Sequence, residues 1–157
     1  MKAQTILNIG RTGAGKTTVA KKIIGAANRQ PLIYDVNNEY GEKLIDFEKF
    51  LDEAKKSTNK TIVFEEATIF LSSNKSASAM RDILVRKRHT NNVIVLNFHS
   101  LRGVPTYLLE LTDVVILLQT NDNPTLIHQK FKEYPEIIET FEKVNKMPQY
   151  SNILLKL

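Results

Sequence analysis

The chain contains no cysteine. That excludes a disulfide framework and a thiolate metal site. No apolar run approaches the ~20 residues needed to span a bilayer. No charged n-region followed by an apolar h-region opens the sequence. A soluble, intracellular protein with no membrane partner is expected. His89, His99 and His128 lack metal-ligand spacing, so zinc is not expected. The base-reading N-K-x-D motif of GTPases is absent, and Thr120-Asn121-Asp122-Asn123 does not replace it. There is no internal repeat and no low-complexity tract.

The 157 residues present suit one domain, 1–157, large enough for a three-layer core. Hydrophobic residues make up 42%, which favours a folded chain over disorder. The net charge of +5 is compatible with a polyanionic partner. Basic residues cluster at Lys21-Lys22, Lys55-Lys56, and from Arg81 through Arg86-Lys87-Arg88.

Short runs of Ile, Val, Leu and Phe predict strands at Thr5–Ile9, Leu32–Tyr34, Thr61–Phe64, Val93–Phe98 and Val114–Leu118. Continuous apolar strands of this kind are buried on both faces, as in a parallel sheet. Helices are predicted over Thr17–Ala27, Glu42–Lys56, Ala77–Arg88, Tyr107–Leu111 and Pro135–Lys146. The alternation predicts an α/β three-layer sandwich with a mainly parallel sheet. The tail Asn152–Leu157 is expected to add an edge strand. Leu71–Ser78 is small and polar and reads as a loop. Pro124 suits the first turn of a helix.

The strongest signal is Gly10-Arg11-Thr12-Gly13-Ala14-Gly15-Lys16-Thr17, which matches the phosphate-binding pattern G-x-x-x-x-G-K-[ST]. At ordinary glycine usage its four fixed positions arise by accident in roughly half a per cent of chains this long. Here the run also lies between a predicted strand and a predicted helix. Glycines let the backbone wrap a phosphate, and the loop amides and helix N-terminus face the anion. Gly10 through Thr17, with Thr18 following, are therefore the candidate nucleotide-binding residues. Lys16 would reach the β- and γ-phosphates, and the Thr17 hydroxyl would ligate Mg²⁺. Lys16 is expected to be exposed in the empty loop.

Thr61-Ile62-Val63-Phe64-Glu65-Glu66 is the second signal, a hydrophobic strand ending in an acidic pair, as in a Walker B motif. Glu65 would stand near Mg²⁺ and its waters. Glu66 would orient or deprotonate the water that attacks the γ-phosphate. Asn97 and His99 end the fourth strand, where a polar side chain can sense that phosphate. The two are assigned to opposite faces of the strand.

Together these segments resemble the FtsK/HerA superfamily of DNA-pumping ATPases. The loop GRTGAGKT is close to its G-x-[ST]-G-[SA]-GK-[ST]. Asp35 through Glu39-Tyr40 is similar to its D-x-x-x-E-[YF], and Glu65-Glu66-Ala67 to its D-E-A. Arg88 precedes His99 by eleven residues, the spacing between the family's arginine and its strand-end glutamine. Two departures are Glu65 for aspartate and His99 for glutamine. The resemblance, over Thr5 to Leu118, implies an additional-strand (ASCE) ATPase with sheet order 5-1-4-3-2. It implies ATP and Mg²⁺ as cofactors, and DNA held through sequence-independent phosphate contacts. It also implies a homo-oligomeric ring with ATP between subunits. Arg88 would be the finger that completes a neighbour's site, with Arg86 or Arg81 as substitutes. The isolated core is expected to be a monomer that ATP or DNA assembles. A minimal phage or plasmid motor fits this size, acting in the cytoplasm, the host's if phage-encoded. Two other readings stay open: a small nucleotide or metabolite kinase, with Asp35 holding the acceptor, and a non-catalytic nucleotide-binding module.

Overall fold

The computed structural model describes residues 1–41 and 45–157. Six strands form one sheet: β1 (Gln4–Ile9), β2 (Gln30–Tyr34), β3 (Lys60–Phe64), β4 (Val93–Phe98), β5 (Val114–Leu118) and β6 (Asn152–Lys156). Their order is β2-β3-β4-β1-β5-β6. β5 and β6 pair antiparallel, and every other pair is parallel. The predicted order 5-1-4-3-2 is therefore found, with β4 inserted between β1 and β3 and the tail strand at the edge.

Burial explains which strands are central. Every residue of β4 and β5 is buried, whereas β6 alternates between exposed and half-buried positions. Alternate residues of each strand feed opposite faces. Ile6, Ile33, Val63, Val95 and Ile116 pack with Ala20, Ile23 and Ala27 of α1 (Lys16–Ala27). Leu7, Ile62, Phe64, Leu96 and Leu117 face the other side. That side is covered by α2 (Phe47–Lys56), α3 (Ala67–Phe70), α4 (Asn74–Thr90), a 3-10 helix (Thr106–Leu111), α5 (Pro124–Lys130) and α6 (Pro135–Asn145). The sandwich is thus lopsided, with α1 opposite the other helices.

Local chemistry sets the helix boundaries. Asp46 caps α2 by accepting from the Glu48 and Lys49 amides. The predicted helix start at Glu42 lies outside the described residues. Asn123 caps α5, and Pro124 occupies its first turn as predicted. The predicted loop Leu71–Ser78 is corrected in part, because α4 already begins at Asn74. Two of its serines fix the start of that helix: Ser73 Oγ accepts from the Ser76 amide, and buried Ser76 donates to the Phe70 carbonyl. The single turn α3 was also absent from the sequence reading. Among the described residues no helix is long and apolar enough to cross a membrane.

Candidate nucleotide-binding and catalytic site

The glycine-rich loop leaves β1 held from both sides. The Gly10 amide donates to the Phe98 carbonyl at 3.0 Å, and the Arg11 amide to the Gln119 carbonyl at 2.9 Å. β5 packs so close that a Cβ on Gly10 would stand 2.8 Å from the Leu118 Cβ. Gly13 and Gly15 take positive φ of 77° and 103°, which glycine alone adopts freely. Gly15 is the N-cap of α1, and no side chain caps the helix. Its first-turn amides are left for an anion.

Lys16 is not exposed as expected; only 7% of it is accessible. The ammonium folds back onto its own loop. Nζ donates to the Gly10 carbonyl at 2.7 Å and the Arg11 carbonyl at 3.2 Å. Burial pushes its pKa below the ordinary lysine value, and the charges of Glu65, Glu66 and Glu39 oppose that shift.

His99 joins this lysine to the acidic pair. Its Nδ1 lies 3.2 Å from Lys16 Nζ, and its Nε2 contacts Glu66 Oε1. A neutral ring carrying its proton on Nε2 satisfies both contacts, accepting from Lys16 and donating to Glu66. Glu65 is turned elsewhere. It is buried, and its Oε2 accepts from Tyr40 Oη at 2.5 Å and Asn97 Nδ2 at 2.7 Å. Burial raises the Glu65 pKa above the usual carboxylate range, against the pull of those two hydrogen bonds. Burial and the Glu65 carboxylate likewise raise the Tyr40 phenol.

The assignment of Asn97 and His99 to opposite faces is wrong. Residues two apart on a strand share a face, and both reach this site. Asn97 pairs in register with Asn8 of β1. Asn8 Nδ2 donates to Asn97 Oδ1 at 2.8 Å and to the Lys16 carbonyl at 3.0 Å. This polar bridge ties the start of α1 to Glu65. The visible signal was an asparagine inside each of two apolar strands.

The segment after β2 supplies two more groups. Buried Asp35 accepts from the Glu39 amide at 2.8 Å and the Tyr40 amide at 3.0 Å, and so fixes that turn. Glu39 then accepts a hydrogen bond from the Thr17 hydroxyl, while Tyr40 donates to Glu65. Thr17, Glu39 and Glu65 line one cleft of about 490 Å³ together with Thr18 and Tyr150. These oxygen donors suit Mg²⁺, which binds through one or two carboxylates and substrate phosphates. A full protein cage is not needed, and among the described residues no group of three or more His, Asp or Glu is placed to hold a metal ion by itself. A larger cleft of about 680 Å³ lies beyond Arg11, towards Gln119 and Lys146. Of the glycine-rich loop only Arg11 borders it, whereas Thr12, Gly13, Gly15, Lys16 and Thr17 line the smaller cleft, which is therefore the candidate phosphate site.

Arg88 stands apart. It is exposed in the last turn of α4, beside the N-terminal end of β4. Lys16, Glu66 and His99 gather at the C-terminal end. Six residues of β4 separate the two levels, roughly 20 Å at the rise of a strand. Arg81 and Arg86 are also exposed on α4. Lys87 turns inward instead and pairs with Asp113 at 2.5 Å.

A parallel sheet with β4 between β1 and β3, a phosphate loop after β1 and an acidic pair after β3 defines an ASCE-type P-loop NTPase. The chain belongs to the AAA family, the ATPase family associated with various cellular activities, whose profile matches residues 6–142. Solved structures share the fold. The DNA-packaging ATPase B204 of Sulfolobus Turreted Icosahedral Virus superposes with a TM-score of 0.74 at 17% identity, covering 98% of this chain and 92% of that one. The genome packaging NTPase B204 of Sulfolobus turreted icosahedral virus 2, in complex with AMPPCP, gives 0.76 at 17% identity over 98% and 92%. The pCW3 conjugation coupling protein TcpA, with ATPgS, gives 0.58 at 13% identity over 83% of this chain and 52% of that one. At these identities the likeness is one of fold. No curated protein matches the sequence.

Proposed function

We propose that this chain is an ATP-hydrolysing motor that translocates or packages DNA as a ring of copies, a minimal phage- or plasmid-type ATPase. The observation that carries the catalytic reading is the chain Lys16–His99–Glu66 at the phosphate cleft. Lys16 would leave the Gly10 and Arg11 carbonyls for the β- and γ-phosphates. Glu66 would take the proton of the attacking water. His99, touching both, would report an arriving γ-phosphate to Glu66. Thr17 and Glu65, with Glu39 beside them, would hold Mg²⁺, which supplies charge neutralisation of the phosphates. Glu65 is one methylene longer than aspartate and already carries two hydrogen bonds, so a contact through water suits it better than a direct one.

The DNA reading draws on the neighbours' DNA-packaging and conjugation roles and on the +5 net charge. The distance between Arg88 and its own Lys16 is too long for action in its own site, so any part Arg88 takes in hydrolysis falls in a neighbour's. The kinase alternative is weakened by Asp35, which is buried and bonded to the Glu39 and Tyr40 amides rather than turned to an acceptor.

Phosphate release, with and without DNA at low salt, tests the proposal. Wild-type hydrolysis should rise with DNA, and folded Lys16→Ala protein should release none. Turnover only with a small acceptor would instead mark a kinase. ATP binding without turnover in either condition would mark a non-catalytic module. Failure to bind both single- and double-stranded DNA at low salt would remove the motor, because phosphate contacts are strongest there.

A further inference from the structure

We infer that the Tyr150 ring is the platform on which the nucleotide's base stacks. This rests on the reading of the cleft as a nucleotide site and adds where the base goes.

Four observations meet at this residue. Tyr150 lines the phosphate cleft with Thr17 and Thr18. Its ring abuts the last glycine of the loop, since a Cβ on Gly15 would lie 3.7 Å from Tyr150 Cδ1. The residue is 66% exposed, a large aromatic left in water beside an anion site. Its φ of +68° is a left-handed conformation that bulky residues rarely adopt. Such a conformation persists where surrounding structure enforces it. The Ser151 amide closes a turn onto the Pro148 carbonyl, and β6 begins at once, with Asn152 opposite Leu118 of β5. The ring is therefore mounted on the sheet rather than on a free tail.

Topology gives the direction of the ligand. β1 has β4 on one side and β5 on the other. Glu65, Glu66 and His99 end β3 and β4, so the γ-phosphate belongs on that side. A nucleoside triphosphate lying across the loop then sends its ribose and base towards β5 and β6, where Tyr150 stands. Every base has a π-face, so stacking here would strengthen binding with little choice between bases.

The test compares ATP, GTP and inorganic tripolyphosphate as probes, with Mg²⁺ present. Tyr150→Ala should weaken ATP and GTP alike, by about 5- to 150-fold, the range for losing one base stack. Tripolyphosphate affinity should not change. Tyr150→Asn is the second variant, because asparagine tolerates the left-handed turn while lacking the ring. Tyr150→Trp should keep ATP affinity. The chain has no tryptophan, so the new indole reports alone, and ATP should quench it while tripolyphosphate should not. Undiminished ATP affinity in Tyr150→Asn would overturn the stacking role. So would an equal loss of ATP and tripolyphosphate in both ring-less variants, which would make Tyr150 a prop for the loop. A wild type that binds neither probe would overturn the cleft itself, a different failure from either.

Discussion

Glu65 and Glu66 are adjacent carboxylates with different surroundings, and the roles proposed for them differ accordingly. Glu65 lies under Tyr40 and Asn97, while Glu66 meets only the half-exposed ring of His99 among the hydrogen bonds described. Glu65 lines the cleft but is held in the buried network, whereas Glu66 stands behind His99 at the cleft's edge and is free of that network, which suits the proposed general base. Glu66→Gln keeps the shape and removes the base. ATP binding should survive while turnover falls by ~10² or more, as seen in single-turnover assays with retained nucleotide. Full loss with Glu65→Gln and none with Glu66→Gln would reverse the assignment. The loop and the acidic pair were legible because each is a contiguous run. The bridge from Asn8 to Asn97 was not, since it depends on register between strands 89 residues apart. The burial of Lys16 was missed for a related reason. Its partners are carbonyls of its own loop, and their direction follows from the fold of that loop.

Among the elements, α4 shows how one helix serves two ends of the molecule. Its N-terminus is set by Ser73 and Ser76, residues that read as loop because serine is equally at home in turns and caps. Its C-terminus is pinned by Lys87, whose Nζ meets Asp113, Thr5 Oγ1 at 3.1 Å and the Leu111 carbonyl at 2.7 Å. The five parallel strands were legible because their apolar runs are continuous. A pin of this kind was not, because a lysine in a basic run reads as solvated. Burial pushes the Asp113 carboxyl up. The hydrogen bonds from Lys87 and the Thr5 amide, with the Lys87 and Arg88 charges, outweigh it and hold the group below its ordinary 3.8. A carboxyl depressed in the folded state adds stability above its unfolded pKa and loses it as the pH falls through the folded value. Asp113→Asn should therefore lower stability at neutral pH, by about 1 kcal/mol, since Asp113 is only partly buried and solvent screens the pair. Urea titrations should show the gap to wild type closing as the pH is taken below 3.8. A gap that stays constant with pH would assign the loss to packing instead.

At the scale of the whole molecule, the separation of Arg88 from Lys16 bears on the proposed ring. Arg88 is exposed and Lys16 is buried in its loop, and a full strand length lies between them. No rotamer of Arg88 spans roughly 20 Å to its own γ-phosphate site. If Arg88 takes part in hydrolysis, it does so in a second copy, and the inward anchoring of Lys87 gives it a fixed base. Arg88→Ala should then leave ATP affinity of the monomer nearly unchanged. It should lower hydrolysis of the assembled protein by as much as the ~10³ or more that arginine fingers supply. Mixing two inactive variants isolates the effect. Lys16→Ala protein keeps its finger but lacks a working loop, and Arg88→Ala protein keeps its loop but lacks the finger. In a mixed ring, some interfaces set an intact loop against an intact finger, so activity should return above that of either variant alone. It should grow with the number of such interfaces as the mixing ratio approaches one to one. Mixed assembly, checked by cross-linking, with no recovery would exclude a trans role for Arg88. Arg81 and Arg86, exposed on the same helix, would then be the next to test by the same mixing.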